Sequence, residues 1–78
     1  MSKSTDREAE RRISLYIELC KEVYKTNEHG IADLAGIPRA TWTRNRKAHF
    51  GQMSAGFIIK LAALTGISIS WLIAEGVE

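Results

Sequence analysis

The sequence predicts an all-α fold, a compact bundle of five short helices. Three observations carry this prediction. Apolar residues recur three or four positions apart in successive segments. Glycines stand where those segments end, at Gly36, Gly66 and Gly76. The one stretch that alternates at period two, "ISISW" at residues 67–71, has no second strand to pair with. At 78 residues the chain makes one domain, residues 1–78, with 1–5 expected to be disordered. Its 45% hydrophobic and 26% charged residues suit a globular core.

Thr5 and Glu8 have the spacing of a capping box, so a first helix should follow and reach about Tyr24. Ile13, Tyr16, Ile17, Cys20, Val23 and Tyr24 recur at helical spacing and mark its core face. Leu15 and Leu19 widen the stripe beyond one core face, so it is either a broad core face or a partner-binding edge. "KTNEHG", residues 25–30, is polar and turn-like, and a short helix over about 29–35 is stopped by Gly36. Pro38 fits the first turn of the next helix, 38–47, because it lacks a donor and its φ is already helical. "HFGQM" reads as loop. Ser54 caps a helix through Leu64 that carries Phe57, Leu61 and Leu64 on one face. Ser68 caps a last helix over 69–75.

Net charge is only +2, but its distribution is uneven. Residues 1–33 hold six Lys/Arg and seven Asp/Glu. From Leu34 to Ala74 there is no acid, against Arg39, Arg44, Arg46, Lys47 and Lys60. One basic face suited to a polyanion follows from this asymmetry.

The same region has the makings of a helix-turn-helix, two short helices joined by a glycine-containing turn. Ala32 is small enough for the crossing of the two helices, and Gly36 can open the turn. Ile37 and Trp42 pin the second helix to the core, assisted by Ile31 and Ala35. The pattern alone is weakly specific. The turn proline, the acid-free basic helix and the five-helix setting strengthen it. Helix 38–47 would then enter the major groove of double-stranded DNA. Arg39, Ala40, Thr43 and Arg44 are candidates for base edges, since arginine can grip guanine O6 and N7 together. Thr41, Asn45, Arg46 and Lys47 are candidates for phosphates, which set register. Lys60 reads as a solvated side chain or a second phosphate anchor, and His49 as a plain loop residue.

From Gly30 to Glu78 the chain resembles the N-terminal DNA-binding domain of temperate-phage repressors of the CI class, the lambda-repressor-like fold. The resembling stretches are "IADLAGIPRATWTR" and "LAALTGISISWLIAEG". The second is the more distinctive, a helix ending in Thr-Gly followed by a short Ser-capped helix with Trp-Leu and a closing Glu-Gly. The resemblance implies a compact all-α repressor domain that binds an operator as a dimer in the cytoplasm of a bacterial host. Three departures stand out. Asn45 occupies a usually apolar position of the recognition helix, Pro38 replaces the usual Ser/Thr cap, and the first helix is longer. With nothing after Glu78, the chain reads as either a domain cut at its boundary or a small stand-alone regulator.

Trp42 and Trp71 are expected in the core, each locking its helix. Leu72, Ile73 and Val77 pack inward or join Leu15 and Leu19 in an isologous dimer contact. Enzyme readings lack parts. The two histidines and the single cysteine, Cys20, have no metal-ligand spacing, and no nucleophile motif or phosphate-cradling glycine loop is present. No cofactor, metal or small-molecule substrate is expected. No apolar run approaches the roughly 18 residues of a membrane span, and Cys20 reads as a small buried hydrophobe in a reducing compartment. The rival to a DNA-binding regulator is a protein-interaction module, antitoxin-like or an anti-regulator, using the surplus apolar surface at Leu15, Leu19 and Ile73.

Overall fold

The computed structural model describes residues 3–73, with side chains from Arg7 to Leu72. Five α-helices follow one another: α1 (Lys3–Tyr24), α2 (Glu28–Ala35), α3 (Arg39–Lys47), α4 (Ala55–Thr65) and α5 (Ile69–Ile73). A single 3-10 turn, Phe50–Gln52, joins α3 to α4. No strand occurs among the described residues. "ISISW" therefore folds as the Ser68-capped start of α5, with the Trp71 amide donating to Ser68 Oγ at 3.0 Å. The expected end of α5 at 75 and the stop at Gly76 lie outside the described residues.

Element boundaries differ from those expected at the helix caps. Helix α1 begins at Lys3, so Thr5 stands inside it and is not its cap; Glu8 instead pairs with Arg11 at 3.6 Å. Lys3 to Thr5, expected to be disordered, are helical. Helix α2 starts one residue early because Asn27 is its N-cap, accepting from the Gly30 amide at 2.9 Å. Pro38 is the residue before α3 rather than its first residue, with φ −57° and ψ 143°. Ser54 caps α4 as expected and accepts from the Phe57 amide at 3.2 Å.

The core gathers one face of every helix. Ile13, Tyr16, Ile17 and Cys20 of α1 meet Ile31 and Ala32 of α2, Trp42 of α3, Phe57 and Leu61 of α4, and Leu72 of α5. Each large apolar side chain buried there contributes roughly 1.5–3 kcal/mol. That matters for α5, which Leu72 anchors to the core. The Tyr16 hydroxyl ties α1 to α4, donating to the Leu61 carbonyl at 2.8 Å with Thr65 Oγ1 at the same distance. Cys20 is buried and burial pushes its thiol up, which makes it a packing residue.

Three expected core residues are not in the core. Val23 is 71% exposed and Tyr24 is also exposed, since α1 outruns the bundle at its C-terminal end. Trp71 is 50% exposed and lies against Arg12, whose guanidinium stands 4.2 Å from the ring centre. Leu72, one residue on, is buried, the inward of the two placements expected for it.

Gly30 shows a constraint that periodicity does not reveal. A Cβ there would collide with Thr26 Oγ1, with Thr26 Cβ and Cγ2 at 2.9 Å. Gly30→Ala should therefore lower stability by about 1–3 kcal/mol despite alanine's better helix propensity. Denaturant unfolding of the two chains reads this directly; an alanine variant as stable as the parent would contradict it.

Candidate nucleic-acid interface

The two central helices meet through a small-residue crossing. Ala32 is fully buried on α2, and two residues past the end of that helix Ile37 is buried in turn. Gly36 links them in the left-handed conformation, φ 75°. The Ile37 amide donates to Ala32 O at 2.8 Å and the Gly36 amide to Asp33 O at 3.2 Å, a Schellman closure that only a residue tolerant of positive φ supplies. Trp42 is buried and stands edge-on to Phe57, ring centres 5.5 Å apart and planes at 65°. Ala32, Ile37 and Trp42 are buried, and Gly36 is the left-handed end of α2.

Glu28 is the residue that sequence reasoning missed. It lies in the stretch read as a turn, yet it opens α2 and reaches across to α3. Its Oε1 accepts from Trp42 Nε1 at 2.9 Å and from Arg46 Nε at 2.9 Å, and its Oε2 from Arg46 Nη2 at 3.1 Å. Trp42 and Arg46 are four apart, so one carboxylate holds two successive turns of α3. The Arg46 hydrogen bonds hold the Glu28 carboxyl below the usual carboxylate range, outweighing its partial burial, and the Trp42 bond adds to them.

With Trp42 turned inward, the opposite face of α3 is exposed. Arg39, Thr43 and Lys47 form one row at four-residue spacing and Ala40 with Arg44 forms the next. No acid lies on the helix. The acid that reaches its exposed face is Asp33 of α2, whose Oδ2 takes Arg39 Nη2 at 3.0 Å, with both side chains well exposed. That bond holds the Asp33 carboxyl below its ordinary range. Among the described residues, Arg44 and Lys47 make no ion pair. Thr41 is half-buried at the rim of a groove of about 280 Å³ between the starts of α3 and α4, which Pro38, Ser54 and Lys60 also line.

Two residues expected to contact phosphates have partners within the protein. Asn45 is 3% exposed, with Nδ2 on Thr41 O at 2.9 Å and Oδ1 accepting from the Ser54 amide at 2.8 Å. It fills the usually apolar position as an internal clamp between α3 and the cap of α4. Arg46 spends its guanidinium on Glu28. Lys60 sits beside the turn, donating to Gly36 O at 3.3 Å. His49 is exposed, its Nδ1 3.6 Å from Glu10. Of the candidate dimer residues, Leu15 and Leu19 are exposed, Leu72 is buried and belongs to the core, and the Ile73 side chain lies outside the described residues.

The family model of the bacteriophage CI repressor helix-turn-helix domain matches residues 16–76, well over half the chain. No curated protein and no solved structure matches it. The chain belongs to that repressor helix-turn-helix family, a DNA-binding regulatory domain. Among the described residues no helix is long and apolar enough to cross a membrane.

Removing the Glu28 carboxylate tests the clamp. Glu28→Ala leaves the buried indole N–H without a partner and should cost about 2–3 kcal/mol at neutral pH. Glu28→Gln keeps an acceptor for Trp42 and should cost less. Because the folded-state carboxyl titrates below its unfolded value, the clamp's contribution is complete above about pH 5 and is lost as the pH falls through that lowered value. Thermal melts from pH 7 to pH 3 should show parent and Glu28→Gln converging at the acid end; a constant gap would contradict the ionised clamp.

Proposed function

Starting from that membership, we propose that the chain is a sequence-specific transcriptional repressor, phage or prophage in kind, that inserts α3 into the major groove of an operator as a homodimer. The observation that carries this reading is the exposed, acid-free face of α3 standing on a buried tryptophan. Arg39, Ala40, Thr43 and Arg44 face the base edges; Thr41 and Lys47 take phosphates, and Lys60 at the rim of the groove is a second anchor. Arg44, with no competing partner among the described residues, is the principal base reader. Arg39 must exchange its hydrogen bond to Asp33, or share it, when it meets DNA.

Selection from a random duplex pool at about 150 mM salt, where nonspecific binding is already weakened, tests the reading. Enrichment of an inverted repeat with half-sites about one helical turn apart is the expected result. A folded sample that enriches nothing would contradict it and favour a protein partner, for which the exposed Leu15 and Leu19 speak.

Arg44→Ala should weaken operator binding by roughly 10- to 100-fold and relax base preference at one position, with the melting temperature unchanged. Asp33→Asn removes the acid nearest the interface. It should tighten binding to unrelated duplex DNA severalfold while narrowing the gap between operator and nonspecific sites, as fluorescence anisotropy on both duplexes will show. Equal discrimination in parent and Asp33→Asn would contradict a role for the pair.

A further inference from the structure

Helix α1 carries a strip of apolar surface that the bundle leaves uncovered. Leu15 and Leu19 are 55% and 60% exposed and lie one turn apart. Arg12 precedes the first by three residues and Glu22 follows the second by three. The series Arg12, Leu15, Leu19, Glu22 therefore has spacings that read the same from either end, symmetric about Ile17, which faces the core on the other side of the helix.

Such a series is self-complementary under a two-fold rotation. When α1 lies antiparallel on a second copy, Leu15 meets Leu19 of that copy and Arg12 meets its Glu22, at both ends at once. A parallel arrangement sets arginine against arginine and glutamate against glutamate. The neighbouring charges are already paired within α1, Glu8 with Arg11 and Glu18 with Lys21 at 3.2 Å. Glu22 is exposed and pairs with nothing among the described residues. Arg12 is pre-ordered, stacked on the Trp71 ring with its Nε donating to Trp71 O at 2.8 Å. That arrangement reduces the side-chain freedom lost on association and sets the exposed indole at the edge of the strip.

We propose that this strip is an isologous homodimer contact, α1 packed antiparallel on α1 of a second copy, with two leucine layers flanked by Arg12–Glu22 pairs. It deepens the dimer named under the proposed function and rests on that reading for its biological meaning, but self-association is measured without DNA. A failure here leaves operator selection standing, and the reverse also holds. The strip covers only about three helical turns, so the contact falls at the small end of specific interfaces and the dimer is weak.

Sedimentation equilibrium of the whole chain, up to about 1 mM, reads it. The parent should show a concentration-dependent monomer–dimer equilibrium. Leu15→Gln and Glu22→Arg, both at exposed positions, should each raise the dissociation constant roughly tenfold or more while circular dichroism and melting stay unchanged. Arg12→Glu should do the same alone. An equimolar mixture of Arg12→Glu and Glu22→Arg chains should associate nearly as the parent does, because every charged layer then faces its opposite. A parent that stays monomeric throughout overturns the second copy as occupant and leaves the strip to a different protein. A dimer indifferent to Leu15→Gln and Glu22→Arg, or a mixture that fails to recover, overturns the antiparallel contact. If Arg12→Glu loses its helical signal, Leu15→Gln and Glu22→Arg decide the matter by themselves.

Discussion

The presentation of α3 depends on the placement of the Trp42 indole. Its ring is buried against Phe57, and its one polar atom, Nε1, is satisfied by Glu28 from the first turn of α2. A buried indole N–H without that acceptor would carry a desolvation cost of about 1–3 kcal/mol, so the ring position and the carboxylate position specify each other. Arg46, one turn further along, closes the same carboxylate. The angle of α3 is thereby fixed at its middle by packing and along its side by charge.

Fixing that angle decides which residues face outward. Trp42 and Asn45 turn in, so Arg39, Ala40, Thr43, Arg44 and Lys47 share the free face. Asn45 extends the same logic to the next helix, because its amide spans the Thr41 carbonyl and the Ser54 amide at the head of α4. The rim of the groove between α3 and α4 is thus tied to α3 by a buried side chain. The basic character of this face comes from exposed residues of one helix, and Asp33 is the single carboxylate hydrogen-bonded to them among the described residues.

Most of the fold was legible because its signals are local. The Gly36 stop, the Ser54 and Ser68 caps and the period of the apolar residues each act within four positions, and the elements they mark are present. The helix-turn-helix residues were legible for the same reason. What stayed hidden depends on contacts across the chain. Glu28 looked like a turn residue because its partners lie 14 and 18 positions away. Asn45 and Arg46 looked like outward polar residues because a polar side chain reads as solvated until its internal partners, Ser54 for Asn45 and Glu28 for Arg46, are known. Trp71 turns outward while Leu72 beside it is buried, and nothing in the local pattern says which of two adjacent apolar residues faces the core. The Arg12 stack that makes the outward choice favourable lies 59 residues away.

The most direct test of the account is an amide NMR map of the chain on addition of operator-length duplex DNA. The account predicts that perturbed amides centre on Arg39, Ala40, Thr43, Arg44 and Lys47 and on the turn before them, with the buried Trp42 side-chain N–H signal still held. A perturbation centred on another helix, or loss of the Trp42 signal as α3 rearranges, would contradict a recognition helix fixed in advance by its core.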